Sequence, residues 1–402
     1  MKFDTLKIRN DFPILQGDNA PIYFDNACST LRPKQVIQAV TDYYEKYPVC
    51  AGRSKYRLSD IVTKKVEDAR KSVAKFVGAK AEEIVFTRNA TESINLVSYA
   101  YPFKQGDVIL ISDKEHNSNL IPWQVLAKNK GIKLKTVKTC EDGAFDMDAL
   151  KKSLEEESVT LASFGATSNL DGVSYPIDEI VKICHKNGAM VLLDCAQWIP
   201  HKPMNFKKLD ADFVAFSGHK MCGPSGMGAL AAKYELLEKM NPFMTGGSTV
   251  EFSTYETHQL LKPPAKFEAG LQDYSGIIGF GAAAEYISGI DFDNIAKSEL
   301  ELNTYITSEL LQIDGLRIIG PQDPAKRGGI ISFTAKNIDT HQIAMMADKM
   351  SGIMIRSGQH CVHSWFRPHG VHSTARASVY FYNTMDEARK FAETIKKIIS
   401  LF

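Results

Sequence analysis

Apolar and polar positions along the chain follow two periods in turn. Over residues 60–78, Val62, Val66, Ala69, Val73 and Phe76 fall on one stripe at helical spacing, which predicts an amphipathic helix stopped by Gly78. Short apolar runs then recur at 83–87, 107–112, 133–138, 159–163, 190–193, 213–216 and 228–231, each of strand length. Helical patterns lie between most of them, around 91–99, 119–130, 147–156 and 177–187. Strands alternating with such helices predict an α/β unit whose mainly parallel sheet is covered on both faces.

The alternation stops near residue 265, where Pro263 and Pro264 cannot continue a regular helix. Two long helical patterns follow at 276–289 and 294–312. Short strands near 316–319, 329–334, 353–356 and 377–381 come next, and a last helix closes the chain. The pattern predicts a large α/β unit over 20–265 and a smaller α+β unit over 266–402, with residues 1–19 packed on the smaller one.

Composition narrows the function classes. Among 402 residues, 48 basic side chains stand against 47 acidic ones, so the surplus of Lys and Arg that a nucleic-acid binder needs is missing. No uninterrupted apolar run reaches the roughly 18 residues of a membrane span, and the first residues are broken by charge, unlike a signal peptide. Seven scattered cysteines form no C-x-x-C pair. Free thiols in a soluble, cytoplasmic chain are the expectation.

The chemistry gathers at strand ends. Phe213-Val214-Ala215-Phe216 runs into Ser217-Gly218-His219-Lys220, which sets a lysine at a strand's carboxyl end, where open α/β sheets place ligands. A lysine desolvated there loses its proton readily and can bond an aldehyde, although a single lysine after a strand is ordinarily a solvated loop residue. Val191-Leu192-Leu193 delivers Asp194 in the same way, as a charge partner or as a simple turn residue. Asn89-Ala90-Thr91-Glu92-Ser93 opens a helix after a strand, and reads either as a phosphate cradle or as a plain N-cap.

Together, Asp194-x-Ala196-Gln197, Ser217-Gly218-His219-Lys220 with Gly223-Pro224, Ala90-Thr91-Glu92 and Glu115-His116 resemble the class V, fold-type I pyridoxal-phosphate enzymes. The match is closest to cysteine desulfurases of the SUF type and runs from Tyr23-Phe24-Asp25-Asn26-Ala27 to Arg376-Ala377-Ser378. The resemblance implies that Lys220 bonds the cofactor aldehyde and shuttles protons, and that Asp194 pairs with the ring nitrogen. Gln197 and Asn169 would meet the ring oxygen, His116 would stack on the ring and serve in acid–base steps, and Ala90, Thr91, Ser217 and His219 would surround the phosphate. Cys361 would take sulfur from L-cysteine as a persulfide, leaving alanine, while Arg376, Arg356 and Asn169 hold the substrate. His360 and Arg356 are neighbours of the kind that activate a thiol. The other six cysteines have no such setting.

The resemblance further implies a homodimer that hands sulfur to an acceptor or scaffold protein, in iron–sulfur cluster assembly or another sulfur pathway. A selenocysteine lyase, another lyase or aminotransferase of this fold, and a non-catalytic sulfur-transfer scaffold are the alternatives. Three positions depart from the family pattern: Gln359 replaces a histidine, Leu271 replaces a threonine that reaches the neighbouring subunit's phosphate, and Gly52-Arg53-Ser54-Lys55-Tyr56 replaces His-Arg-Gly-x-His. The segment with His360, Cys361, His363, His369 and His372 lacks a common zinc spacing, so no metal is expected.

Overall fold

Buried strands form the centre of the molecule because their side chains are apolar on both faces. The computed structural model describes residues 4–402. The main sheet runs in the order Ile84–Thr87, Gly228–Ala232, Phe213–Ser217, Met190–Asp194, Val159–Gly165, Val108–Ser112, Lys133–Val137. Gly228–Ala232 is antiparallel to both its neighbours, and the other pairings are parallel. Side chains alternate between two cores: Val191, Leu193, Val214 and Phe216 face one, and Leu192, Phe213 and Ala215 face the other. The α/β class with a mainly parallel sheet is therefore the observed one.

The predicted helix at 60–78 forms as Arg57–Val77, and Gly78 ends it with φ 68°, the left-handed conformation a glycine adopts without penalty. The helix at 147–156 forms over Met147–Glu156. One hairpin, Val250–Ser253 with His258–Leu260, carries no clear apolar run and escaped the sequence reading; its residues are largely exposed.

The smaller sheet is wholly antiparallel, in the order Leu316–Ile319, Ile330–Ala335, Thr374–Ser378, Arg356–Gly358. The strand predicted at 353–356 divides. Ile353–Met354 pairs in parallel with Ile22–Tyr23, and Arg356–Gly358 joins the sheet. The strand predicted at 377–381 lies earlier, at Thr374–Ser378, because Tyr380, Phe381 and Tyr382 leave the sheet to pack in the larger core.

The division expected near residue 265 precedes a helix, Tyr274–Ser288, that packs on Lys34–Lys46 and Arg57–Val77 and shares their core. The amino-terminal segment bridges the units: Arg9 pairs with Glu387 at 2.9 Å, while Phe12 packs on Tyr286 and Tyr382. Residues 1–3 of the segment expected on the smaller unit lie outside the described residues.

Candidate active site

Where the carboxyl ends of the main strands meet the smaller sheet, a cavity of about 250 Å³ opens. Ala90, Thr91, His116, Asn169, Asp194, Gln197, Ser217, His219, Lys220, Arg356, Cys361 and Arg376 all line it. Residues far apart in sequence thus converge on one space.

The main sheet builds one wall. Asp194 ends Met190–Asp194, buried, with Oδ1 accepting the Ala196 N–H at 3.0 Å. Burial pushes its carboxyl up and the charge of Lys220 pulls it down. Lys220 ends the turn after Phe213–Ser217. Burial holds its ammonium below the ordinary lysine value, Asp194 opposes that, and Arg376 reinforces it. His219, next to it, is lowered to about 4 by burial and then by Lys220 and Arg32. The amine is therefore easily freed of its proton.

The helix Ala90–Ala100 points its amino end at the cavity. Asn89 caps it by accepting the Glu92 N–H at 3.0 Å, and Ser217 Oγ accepts the Ala90 N–H at 2.9 Å. Thr91 and Ser118 share a hydroxyl bond of 2.6 Å beside them. The cap lies directly on the sheet because Gly228 has no side chain: a Cβ there would come within 2.6 Å of Asn89 Cα. The N-cap read from the sequence is thus present, at the edge of the cavity.

His116 Nδ1 accepts the Ser118 N–H at 3.0 Å, which assigns the ring hydrogen to Nε2. Burial, then Lys220 and Arg376, lower its pKa to about 3. Both causes favour the neutral ring.

The smaller unit supplies the opposite wall. Arg376 and Arg356 are direct cross-strand partners, an arrangement of like charges that is unfavourable unless an anion sits between or beside them. Arg376 is 2% exposed. It donates to Asn169 O at 2.8 Å and to Asp25 Oδ1 at 3.3 Å, and its Nε is buried without a partner. Asn169 Nδ2 donates to His360 O at 2.7 Å, and Asn117 N–H to Cys361 O at 2.7 Å, so the thiol loop is tied to the main unit at two points.

Two expectations need correction. His360 is not a cation beside Cys361: its Nε2 meets Thr374 Oγ1 at 2.7 Å, and burial lowers its pKa to about 2. Arg356 turns instead to Cys28, with Nη1 2.7 Å from Sγ. Cys28 also lines the cavity, so one of the six cysteines set aside does share this setting. Two buried groups were missed as well. Lys114 pairs with Asp171 at 2.7 Å, and Glu115 is pushed up to about 7 by burial. The dipeptide Glu115-His116 was the only available signal. Among the histidine-rich residues, His363 meets Asn117 and His369 stacks on Trp365, away from one another's partners.

The site suits a phosphorylated pyridine aldehyde. A buried carboxylate with one N–H donor lacks a cationic N–H partner. Gln197 donates from Nε2 to Ala27 O at 2.6 Å and leaves Oε1 buried and unpartnered. A deprotonatable amine and a hydroxyl-lined helix amino end complete the donor set.

The chain is similar to known proteins over its whole length. A probable cysteine desulfurase of Streptomyces coelicolor is 37% identical, with 99% of this chain and 98% of that protein aligned. The apo structure of a cysteine desulfurase from Thermococcus onnurineus superposes with a TM-score of 0.95 at 36% identity, covering 100% of this chain and 99% of that one. An S-sulfonic acid form of an Escherichia coli cysteine desulfurase gives 0.92 at 30% identity, with 100% of both chains covered. The aminotransferase class-V pattern matches residues 22–391, and the chain belongs to that family.

Proposed function

We propose that the protein is a pyridoxal-phosphate-dependent cysteine desulfurase, converting L-cysteine to L-alanine and keeping the sulfur on Cys361 as a persulfide. The observation that carries this reading is the meeting of the Lys220 amine, the Cys361 thiol and the paired guanidinium groups of Arg356 and Arg376 in one cavity. When bound, pyridoxal phosphate supplies an electron sink for charge developing at a substrate Cα. Lys220 provides the amine that bonds its aldehyde and a base that holds and returns a proton at Nζ. Asp194 keeps the ring nitrogen protonated, and the Ala90–Ala100 amino end with Thr91, Ser217 and His219 receives the phosphate. His116 offers the flat face of a neutral ring, while Gln197 and Asn169 border the ring oxygen.

Arg376 grips the substrate carboxylate with Arg356 as its cross-strand neighbour. Cys361 Sγ takes the sulfur, and holding thiol and substrate in one cavity supplies much of the rate gain. The persulfide is then handed to an acceptor or scaffold protein, and iron–sulfur cluster assembly is one such use. Among the described residues no helix is long and apolar enough to cross a membrane, which fits the proposed cytoplasmic location. A homodimer is supported by exposed apolar residues: Phe243, Met244 and Leu271 line one cleft, and Phe252 and Tyr255 stand out on the hairpin.

The test is alanine formation by the holoenzyme. Wild type should release alanine from L-cysteine, and Cys361→Ser should lose at least about 10²-fold. Equal turnover by both would reject the mechanism. Turnover of L-selenocysteine alone by Cys361→Ser would show that selenium release does not need the thiol.

A further inference from the structure

We infer that Cys28 is a second sulfur-carrying thiol of this site, receiving the outer sulfur of the Cys361 persulfide; the inference rests on the desulfurase reading. Cys28 and Cys361 are both half-buried free thiols, and both line the cavity. The charges of both sulfurs act on one amine, Lys220. Other thiols are set differently. Cys184 and Cys222 are buried with pKa values pushed up to about 12, and burial raises Cys195 as well. Cys50 and Cys140 lie outside the cavity.

Two guanidinium groups border Cys28. Arg356 Nη1 is directed at its Sγ, and the charge of Arg376 also faces it. Arg376 is almost wholly buried, and its Nε points to no partner, so the cavity lacks one acceptor. The backbone is held firmly: Ala27 N–H donates to Ser378 Oγ at 2.9 Å and Cys28 N–H to Asp25 O at 3.1 Å. On the other side, His360 and Cys361 have φ of 48° and 60°, two successive non-glycine residues in the left-handed region. Relaxation of that strained turn is the movement that brings the persulfide to Cys28.

The exchange balances without an oxidant or a reductant. The Cys28 thiolate attacks the outer sulfur of Cys361–S–SH, a new S–S bond forms at Cys28, and the bond at Cys361 breaks. Its electron pair leaves with Cys361 as a thiolate, free to take a second sulfur.

The experiment mixes holoenzyme with L-cysteine, counts alanine per chain in the initial burst, before free cysteine strips the persulfides, then alkylates and maps the peptides by mass. Wild type should release about two alanines per chain, with one extra sulfur on each of Cys28 and Cys361; Cys28→Ser should release about one. Cys28→Ser keeps an acceptor for Arg356, and Cys28→Ala serves if the serine variant does not fold. One alanine per chain, or both sulfurs on Cys361, overturns the inference. Sulfur on Cys28 in Cys361→Ser also overturns it, since the relay would be bypassed. No alanine from wild type would instead overturn the desulfurase reading.

Discussion

The two walls of the cavity are made by different means. On the main-sheet side, Asp194 and Lys220 stand where two adjacent parallel strands end, and the strand cores fix them, with Thr30 N–H donating to His219 O at 2.9 Å beside the lysine. On the other side, Arg376, Arg356 and the Cys361 loop depend on hydrogen bonds that cross between the units, from Asn169, Asp25, Asn117 and Cys28. Packed strands position chemistry rigidly, whereas a wall held by a few polar contacts can shift and can be lost piece by piece. Under the proposed function, covalent capture of the cofactor falls to the rigid wall, and substrate binding and sulfur transfer to the adjustable one.

Substitutions should separate the walls. Lys220→Ala should lower alanine formation by about 10³-fold or more and abolish borohydride-fixable cofactor, with little change in melting temperature. Retained borohydride fixation would place the amine elsewhere. Arg376→Lys keeps a charge but loses the fork, so kcat/KM should fall about 10²-fold, chiefly through KM, while cofactor absorption is unchanged. A loss confined to kcat would assign Arg376 to the other wall's task.

The smallest effect concerns Glu115, which lies under the rigid wall. Its carboxyl accepts from Ser112, Asn119 and Gly165, yet burial raises it from 4.5 to about 7. The folded chain therefore binds this proton more tightly than the unfolded one. That contribution is full below pH 4.5 and is lost as pH rises to about 7. Relative to Glu115→Gln, wild type should lose about 2 kcal/mol of unfolding free energy between pH 5 and 8. A constant difference across that range would show that Glu115 is ionised throughout.

The rigid wall was also the legible one. A run such as Phe213–Ser217 announces a buried strand locally, and the residue after it must emerge at the strand's end. Hence Lys220 and Asp194 were visible, and the helix opening at Ala90 with them. Cys361 and Arg376 came from motif resemblance, since nothing in their spacing to Lys220 requires proximity. Cys28 went unnoticed because its partner Arg356 is 328 positions away. The bond from His360 to Thr374 was not legible for the related reason that burial and partners are not written beside a residue.

Read alone, the order of residues determined the elements, the parallel α/β class and the residues delivered at strand ends, because these follow from short-range periodicity and backbone geometry. Tertiary structure alone decided that Arg356 and Arg376 are cross-strand partners, that Tyr274–Ser288 joins the larger core, and that burial lowers the pKa of His116 and His360. Those outcomes depend on desolvation and on contacts between segments far apart in the chain, which exist only once the two units have closed around the cavity.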